Sequence, residues 1–251
     1  ALGIVDFGLF AVVGSIITFI AIVNTIMVST SHRFIAVSIG EGDISKANIY
    51  FNVCLIIHVI IAILTIVVGW SLGDWYIYRF INYDGPIENA IIVYRISLVA
   101  SAFTFIGIPY NGLLTAKERF LTFCIPDIIS HLLKLIITIM LVYWFSNKLM
   151  MYAITQGVLT AYPPLFFIFS CHKHFKDICR FQIIKEKKLY KEIVSFSAWV
   201  AYGAVATVGK AQGAALLVNA FFSTIMNTAL GVANSINSLI LNFANNATQP
   251  I

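Results

Sequence analysis

Three basic side chains lie within long apolar stretches of this sequence, where a charge needs a specific stabilising partner. Lys134 and Lys210 lie about midway along apolar runs, and Arg95 lies about a turn and a half from the end of another. A charged side chain in mid-bilayer costs a few kcal/mol, so it normally faces water, an opposite charge or a bound anion. Snorkelling towards the membrane surface is an alternative for Arg95. Because Asp127 is the one acid in the same runs, the charge balance favours an anionic substrate.

A stripe of polar side chains lies near the end of the sequence. Asparagine, serine and threonine recur there at spacings of three to four residues, which places them on one face of a helix. Such a stripe is unfavourable against lipid but is tolerated inside a bundle or beside a wet cavity. Polar contact between helices is the alternative explanation. We predict that this stripe and polar residues of the preceding segment face a cavity. The residues are Asn234, Asn237, Ser238, Asn242, Asn245 and Thr248, with Gln212, Asn219 and Ser223 before them.

The sequence shows no residue pattern that is typical of an enzyme. The acids Asp6, Asp74, Asp84 and Glu88, predicted to lie outside the membrane, have neither the pairing of a carboxylate dyad nor metal-ligand spacing. No Ser-His-Asp set, phosphate-binding loop or nucleotide motif is visible. The four cysteines fit no zinc ligand set, so we predict no metal and no cofactor. We therefore predict a protein that is not an enzyme, with a membrane glycosyltransferase or polymerase as the alternative.

Membrane-spanning helices must position these residues. Hydrophobic residues make up 60% of the chain and charged residues 11%, whereas soluble domains contain about a quarter charged residues. A helix needs roughly 20 mainly apolar residues to cross a bilayer. The apolar runs are continuous, which excludes the alternating strands of a β-barrel. The sequence predicts an all-α integral membrane protein with seven spans: 7–28, 49–70, 90–114, 121–145, 149–170, 193–222 and 226–249.

The distribution of basic residues orients these spans. The segments after the first, third and fifth spans hold eleven of the sixteen Lys and Arg residues, and the intervening segments hold two. Such a bias marks the cytoplasmic side. The aromatic residues of a predicted loop at 70–89 suit the external interface. The net charge of +5 therefore reflects topology, and we expect contact with the lipid bilayer and none with nucleic acid.

One long polar stretch, 171–192, divides the chain. Its seven basic residues are interleaved with Phe and Ile, which is typical of an amphipathic linker on the cytoplasmic membrane surface. We predict an N-terminal transmembrane lobe at 1–170 and the first two helices of a C-terminal lobe at 193–251. The odd number of spans after an external start predicts that the chain is a fragment whose first lobe lacks its first helix.

Five segments match a transporter family in their order along the chain. They are ALGIVDFGLFAVVG (1–14), HRFIAVSIGEGD (32–43), IPYNGLLTAKERF (108–120), HLLKL (131–135) and GKAQGAALLVNAFFSTIMNTALGVAN (209–234). Together they resemble the polysaccharide flippases of the multidrug/oligosaccharidyl-lipid/polysaccharide exporter (MATE-like) superfamily. None of the segments is a catalytic motif. The resemblance implies twelve or more helices in two six-helix lobes, around a central cavity that opens alternately to each side.

The resemblance and the polar residues together predict a function. We expect a flippase of the bacterial inner membrane that exports a polyprenyl-diphosphate-linked oligosaccharide for cell-surface polysaccharide or lipopolysaccharide (O-antigen) biosynthesis. In this hypothesis Arg95, Lys134 and Lys210 attract the diphosphate, and the amide stripe binds sugars. Proteins of polysaccharide assembly are candidate partners. The alternative is a cation-coupled multidrug antiporter of the same superfamily, in which Asp127 or Asp6 would be the working acid.

Overall fold

The computed structural model describes residues 4–80, 86–144, 148–221, 236–237 and 240–241, and all regular structure within these ranges is helical. The chain divides into two compact units, Ala1–Val200 and Ala201–Ile251. The helices in the described part are α1 (Ile4–Gly40), α2 (Ile44–Phe80), α3 (Ile87–Ala116), α4 (Phe120–Trp144), α5 (Lys148–His174), α6 (Lys176–Cys179) and α7 (Lys187–Phe221).

Four of these helices are long and apolar enough to cross a membrane. Their apolar side chains are widely exposed in the isolated chain, as expected for surfaces that contact lipid. The prediction of an all-helical fold is therefore confirmed for the described residues, and four of its helices are candidate membrane spans. The four helices correspond to the second to fifth predicted spans and are Ile44–Arg79, Ile87–Ala116, Phe120–Leu141 and Lys148–His174.

The remaining predicted spans are not established by the structure. The runs 7–28 and 193–222 lie in α1 and α7, where many side chains are outside the described part of the chain. The run 226–249 falls outside the described residues except at 236–237 and 240–241. The totals of seven visible spans and of twelve or more helices in two lobes therefore stay predictions.

Helix α3 is the centre of the first unit and packs against α1, α2, α4 and α5. It continues through Pro109, which lies inside the helix. It approaches α5 closely at Gly107, where a Cβ atom would lie 2.6 Å from Pro164 Cβ. The missing side chain at Gly107 thus allows the backbones of α3 and α5 to come together beside the cavity described below.

The prediction of a loop over 70–89 is wrong for its first part. Helix α2 continues through the aromatic stretch to Phe80, and α3 begins at Ile87. Hydropathy identifies the environment of a segment and not its backbone conformation, so a helix can continue beyond the apolar run that predicts it. This extension places Trp70 and Asp74 on a helix that packs against α3.

The linker between the predicted lobes is held against the beginning of α2. The side-chain nitrogen of Asn48 donates to the carbonyl oxygens of Ile178 and Arg180, both at 2.8 Å. Asn52 donates to Arg180 O at 3.0 Å and accepts from the backbone N–H of Gln182 at 3.1 Å. The part of the linker after α6 is therefore attached to the first unit through two asparagine side chains.

Candidate functional site

Helix α4 carries ionisable side chains on one face. Asp127, His131 and Lys134 follow each other at spacings of four and three residues, which places them on the same side of the helix. Lys134 is ten or more residues from either end of α4, or about 15 Å at 1.5 Å per residue. Its ammonium donates to Thr160 Oγ1 of α5 at 3.0 Å. Lys134 therefore lies deep in the helix, as predicted, and its nearest partner is a neutral hydroxyl.

Lys134 lines a cavity of about 360 Å³ between α1, α3, α4 and α5. Opposite Lys134, the side chain of Asn24 in α1 donates to Thr104 Oγ1 in α3 at 3.1 Å. One turn before Lys134 in α4, Ser130 donates to the carbonyl oxygen of Leu159 and so joins α4 to α5. The other polar side chains that line the cavity are Asn111, Asp127, His131 and Thr160. The cavity thus combines one ammonium group and one carboxyl group with amide, hydroxyl and imidazole groups.

The charge of Lys134 has no direct ion-pair partner in the part of the chain that the structure describes. The two ion pairs found there are Lys46–Glu41 and Arg95–Asp74. Asp127 lines the same cavity but makes no ion pair with Lys134, which lies two helical turns away. The part-buried ammonium therefore makes no direct ion pair, and Asp127 acts on it only across the distance of two helical turns.

A partly buried histidine lies beside the cavity but adds no charge to it. His32 follows the predicted span 7–28 and neighbours Asn111, which lines the cavity. Burial lowers the pKa of His32, and a hydrogen bond to the Asn111 side chain opposes this shift. A histidine with a lowered pKa is neutral at pH 7. The fixed positive charge near the cavity is therefore that of Lys134.

Arg95 lies in a different environment from Lys134. It forms an ion pair with Asp74 of α2, and its guanidinium carbon lies 4.4 Å from the centroid of the Trp70 ring. Arg95 lines a separate, mainly apolar groove of about 420 Å³. The structure therefore does not bring Arg95 and Lys134 into one cavity. Binding of substrate by Arg95 stays a prediction.

The other predicted substrate-binding residues are largely outside what the structure describes. Asn237 is described and has an exposed side chain. Three predicted residues lie in α7 at positions whose side chains are not described: Lys210, Gln212 and Asn219. Five residues of the stripe lie outside the described residues: Asn234, Ser238, Asn242, Asn245 and Thr248. Their contacts with sugar and diphosphate stay predictions.

Several residues of the cavity were missed by the sequence analysis, although α3 and α4 contain a signal for them. Thr104 and Asn111 are seven residues apart on α3, as Asp127 and Lys134 are on α4. Polar residues at this spacing within apolar runs share one helix face. Asn24 and Thr160 were not singled out by such a pair at a spacing of seven residues. Only the packing of the four helices brings these side chains together.

Comparisons of the chain with protein-family models, curated proteins and solved structures find no match. The family relationship therefore stays a resemblance carried by the five sequence segments. In the part of the chain that the structure describes, no cluster of three or more His, Cys, Asp and Glu side chains could hold a metal ion. The functional interpretation rests on the polar cavity around Lys134.

Proposed function

We propose that the protein is a flippase of the bacterial inner membrane that exports a lipid-linked oligosaccharide by alternating access. The observation that carries this proposal is the position of Lys134 in a cavity between four helices, with no carboxylate at ion-pair distance among the described residues. The diphosphate of a polyprenyl-linked sugar would supply the missing countercharge. Coulomb attraction is several-fold stronger in such a low-dielectric site than in water.

The neutral polar groups of the cavity suit the remainder of such a substrate. Asn24, Thr104 and Asn111 offer amide and hydroxyl groups, which can both donate to and accept from sugar hydroxyls. A volume of about 360 Å³ lies within the range of small-molecule sites, so it has room for a diphosphate and an adjoining sugar. The polyprenyl chain would remain in the lipid, where its burial requires no specific pocket.

Substitution of Lys134 tests this function. Lys134→Gln keeps most of the length and removes the charge, and Lys134→Arg keeps the charge. Loss of a hydrogen bond to a charged group costs about 1.5–3 kcal/mol, so we expect surface polysaccharide to fall at least about tenfold in Lys134→Gln. Lys134→Arg should retain much of the export because attraction of an anion needs charge more than shape. The assay is complementation of a strain that lacks the gene, with the amount of protein in the membrane measured in parallel.

A surface lysine provides the matched control. Lys173 is exposed in the last turn of α5, so Lys173→Gln removes the same charge far from the cavity and should export normally. Normal export by Lys134→Gln would refute the role of the charge. If only Lys134→Gln fails to accumulate in the membrane, the lysine is structural and the proposal loses its main support.

A second candidate function is supported by Asp127. A cation-coupled multidrug antiporter would need an acid within the first unit, and Asp127 lines the same cavity as Lys134. In this case Asp127→Asn should abolish drug resistance in cells that express the protein, whereas Lys134→Gln should leave polysaccharide export unchanged. The opposite result, normal drug resistance in Asp127→Asn and lost export in Lys134→Gln, favours the flippase.

A further inference from the structure

A groove on the surface of the first unit runs between α2, α3 and α5. Its volume is about 420 Å³, and its lining is apolar except at the end where Arg95 lies. The side chains of Val99, Phe103 and Val158 line the groove and are 37%, 37% and 61% exposed. These helices are three of the four that can cross the membrane, so the groove lies at the depth of lipid chains. Its shape and composition suit an acyl chain.

The polar end of the groove has hydrogen-bonding capacity that the protein does not use. Arg95 and Asp74 form an ion pair through one nitrogen and one oxygen. Arg95 Nε and Asp74 Oδ1 have no hydrogen-bond partner in the described part of the chain but are enclosed by protein, so a ligand reaches the pair through the exposed parts of the two side chains, 36% and 21% of their surfaces. A guanidinium has five N–H donors and a carboxylate about four acceptor sites, so one bond leaves most of them unfilled. The pair has no net charge, and it can accept a ligand that offers both an acceptor and a donor.

We propose that this groove binds a phospholipid of the phosphatidylethanolamine class. Its phosphate accepts hydrogen bonds from Arg95, its primary ammonium donates to Asp74, and one acyl chain lies along Val99, Phe103 and Val158. The predicted orientation puts Arg95 near the external end of α3, so the lipid belongs to the external leaflet. This site is separate from the cavity around Lys134 and does not depend on what the protein transports.

Other common headgroups fit the pair less well. An anionic phosphatidylglycerol headgroup adds a negative charge that the neutral Arg95–Asp74 pair does not balance. The quaternary ammonium of phosphatidylcholine has no N–H group to donate to Asp74. It could bind an aromatic face instead, but the face of Trp70 is already covered by the guanidinium of Arg95. The site should therefore distinguish a primary ammonium from both alternatives.

Tryptophan fluorescence provides a direct test because Trp70 lines the groove. The full-length protein would keep Trp70 as its one tryptophan within this sequence, with phenylalanine at Trp75, Trp144 and Trp199. It is reconstituted in phosphatidylcholine vesicles that contain lipids with brominated acyl chains, which quench tryptophan on contact. We expect brominated phosphatidylethanolamine to associate at least about fivefold more strongly than brominated phosphatidylcholine or phosphatidylglycerol, because only its headgroup forms charge-assisted bonds to both members of the pair.

A single substitution should reverse the selectivity. Asp74→Asn leaves Arg95 with an unbalanced positive charge, so phosphatidylglycerol should become the strongest quencher. Glu88→Gln, which removes an exposed carboxylate near the start of α3, is the control and should leave the preference unchanged. Equal quenching by the three lipids would overturn the proposal, as would an unchanged preference in Asp74→Asn. The comparison of the three lipids leaves Arg95 and Asp74 unsubstituted. It therefore tests whether the groove prefers phosphatidylethanolamine even if Asp74→Asn does not fold.

Discussion

The attachment of the linker to α2 can be tested by removing one side chain. Asn52 makes two hydrogen bonds to the linker, one to Arg180 O and one from the backbone N–H of Gln182. Its side chain is fully buried, at 0% exposure, so water does not replace these bonds without local rearrangement. Asn52→Ala would leave the Gln182 N–H without its acceptor while changing nothing in the linker sequence.

The size of the effect follows from the two bonds that are lost. A typical intramolecular hydrogen bond contributes about 0.5–1.5 kcal/mol net, so their loss should weaken the attachment by about 1–3 kcal/mol. Each 1.4 kcal/mol is a factor of about ten in an equilibrium constant. The backbone amide of Gln182 exchanges with solvent when the linker opens locally from α2. Its exchange should therefore be about 5- to 150-fold faster in Asn52→Ala.

Hydrogen exchange of the purified protein, followed by mass spectrometry of peptides from residues 178–186, measures this directly. Asn89→Ala is the matched control because Asn89 lies in the first turn of α3, far along the chain from the linker contacts. Exchange in the linker should be unchanged in this variant. If the linker amides exchange at the same rate in Asn52→Ala as in the unsubstituted protein, the hydrogen bonds of Asn52 do not hold the linker. The proposed attachment of the linker to α2 would then be wrong.

Two further predictions concern packing and topology. Gly107→Ala should destabilise the protein by about 1–3 kcal/mol because the new methyl group meets the rigid ring of Pro164, whereas Gly40→Ala, which has open space, should change the thermal midpoint little. A cysteine at the exposed position Tyr78 should react with an impermeant reagent from outside the cell, and one at Glu186 only after the membrane is opened. Labelling of Glu186→Cys from outside would reverse the predicted orientation.

The membrane helices could be predicted because their signal is local. A run of about 20 apolar residues specifies a spanning helix whatever its neighbours are, since its backbone must be hydrogen-bonded internally in lipid. Proline does not interrupt these helices: Pro109, Pro126 and Pro163 all lie inside them. The residues at which the helices end were less predictable. Helix α2 extends to Phe80 because polar and aromatic residues outside the hydrocarbon also form helix.

The partners of the buried charges could not be predicted because they depend on how helices pack. Arg95 and Lys134 gave the same sequence signal, a cation in an apolar run. The structure places Asp74 beside Arg95 through the contact of α2 with α3, whereas it places Thr160 beside Lys134 through the contact of α4 with α5. The depth of a charged residue along a span therefore indicates the free-energy cost of placing the charge there. Contacts with the neighbouring helices determine whether the protein itself offsets that cost.

The remaining cost at Lys134 leads to a prediction about stability. The hydrogen bond from the Lys134 ammonium to Thr160 contributes about 1.5–3 kcal/mol, which offsets only part of the few kcal/mol that a charge within a membrane helix costs. An anionic substrate would offset the difference. Lys134→Met keeps the length and removes the charge, so we expect it to raise the thermal midpoint of the substrate-free protein by about 2–4 °C while export is lost.

Lys46→Met, which removes an exposed ion-paired lysine, should give no such gain. A lower thermal midpoint in Lys134→Met would show that partners within the protein already stabilise the ammonium. The inference that Lys134 binds an anionic substrate would then be wrong.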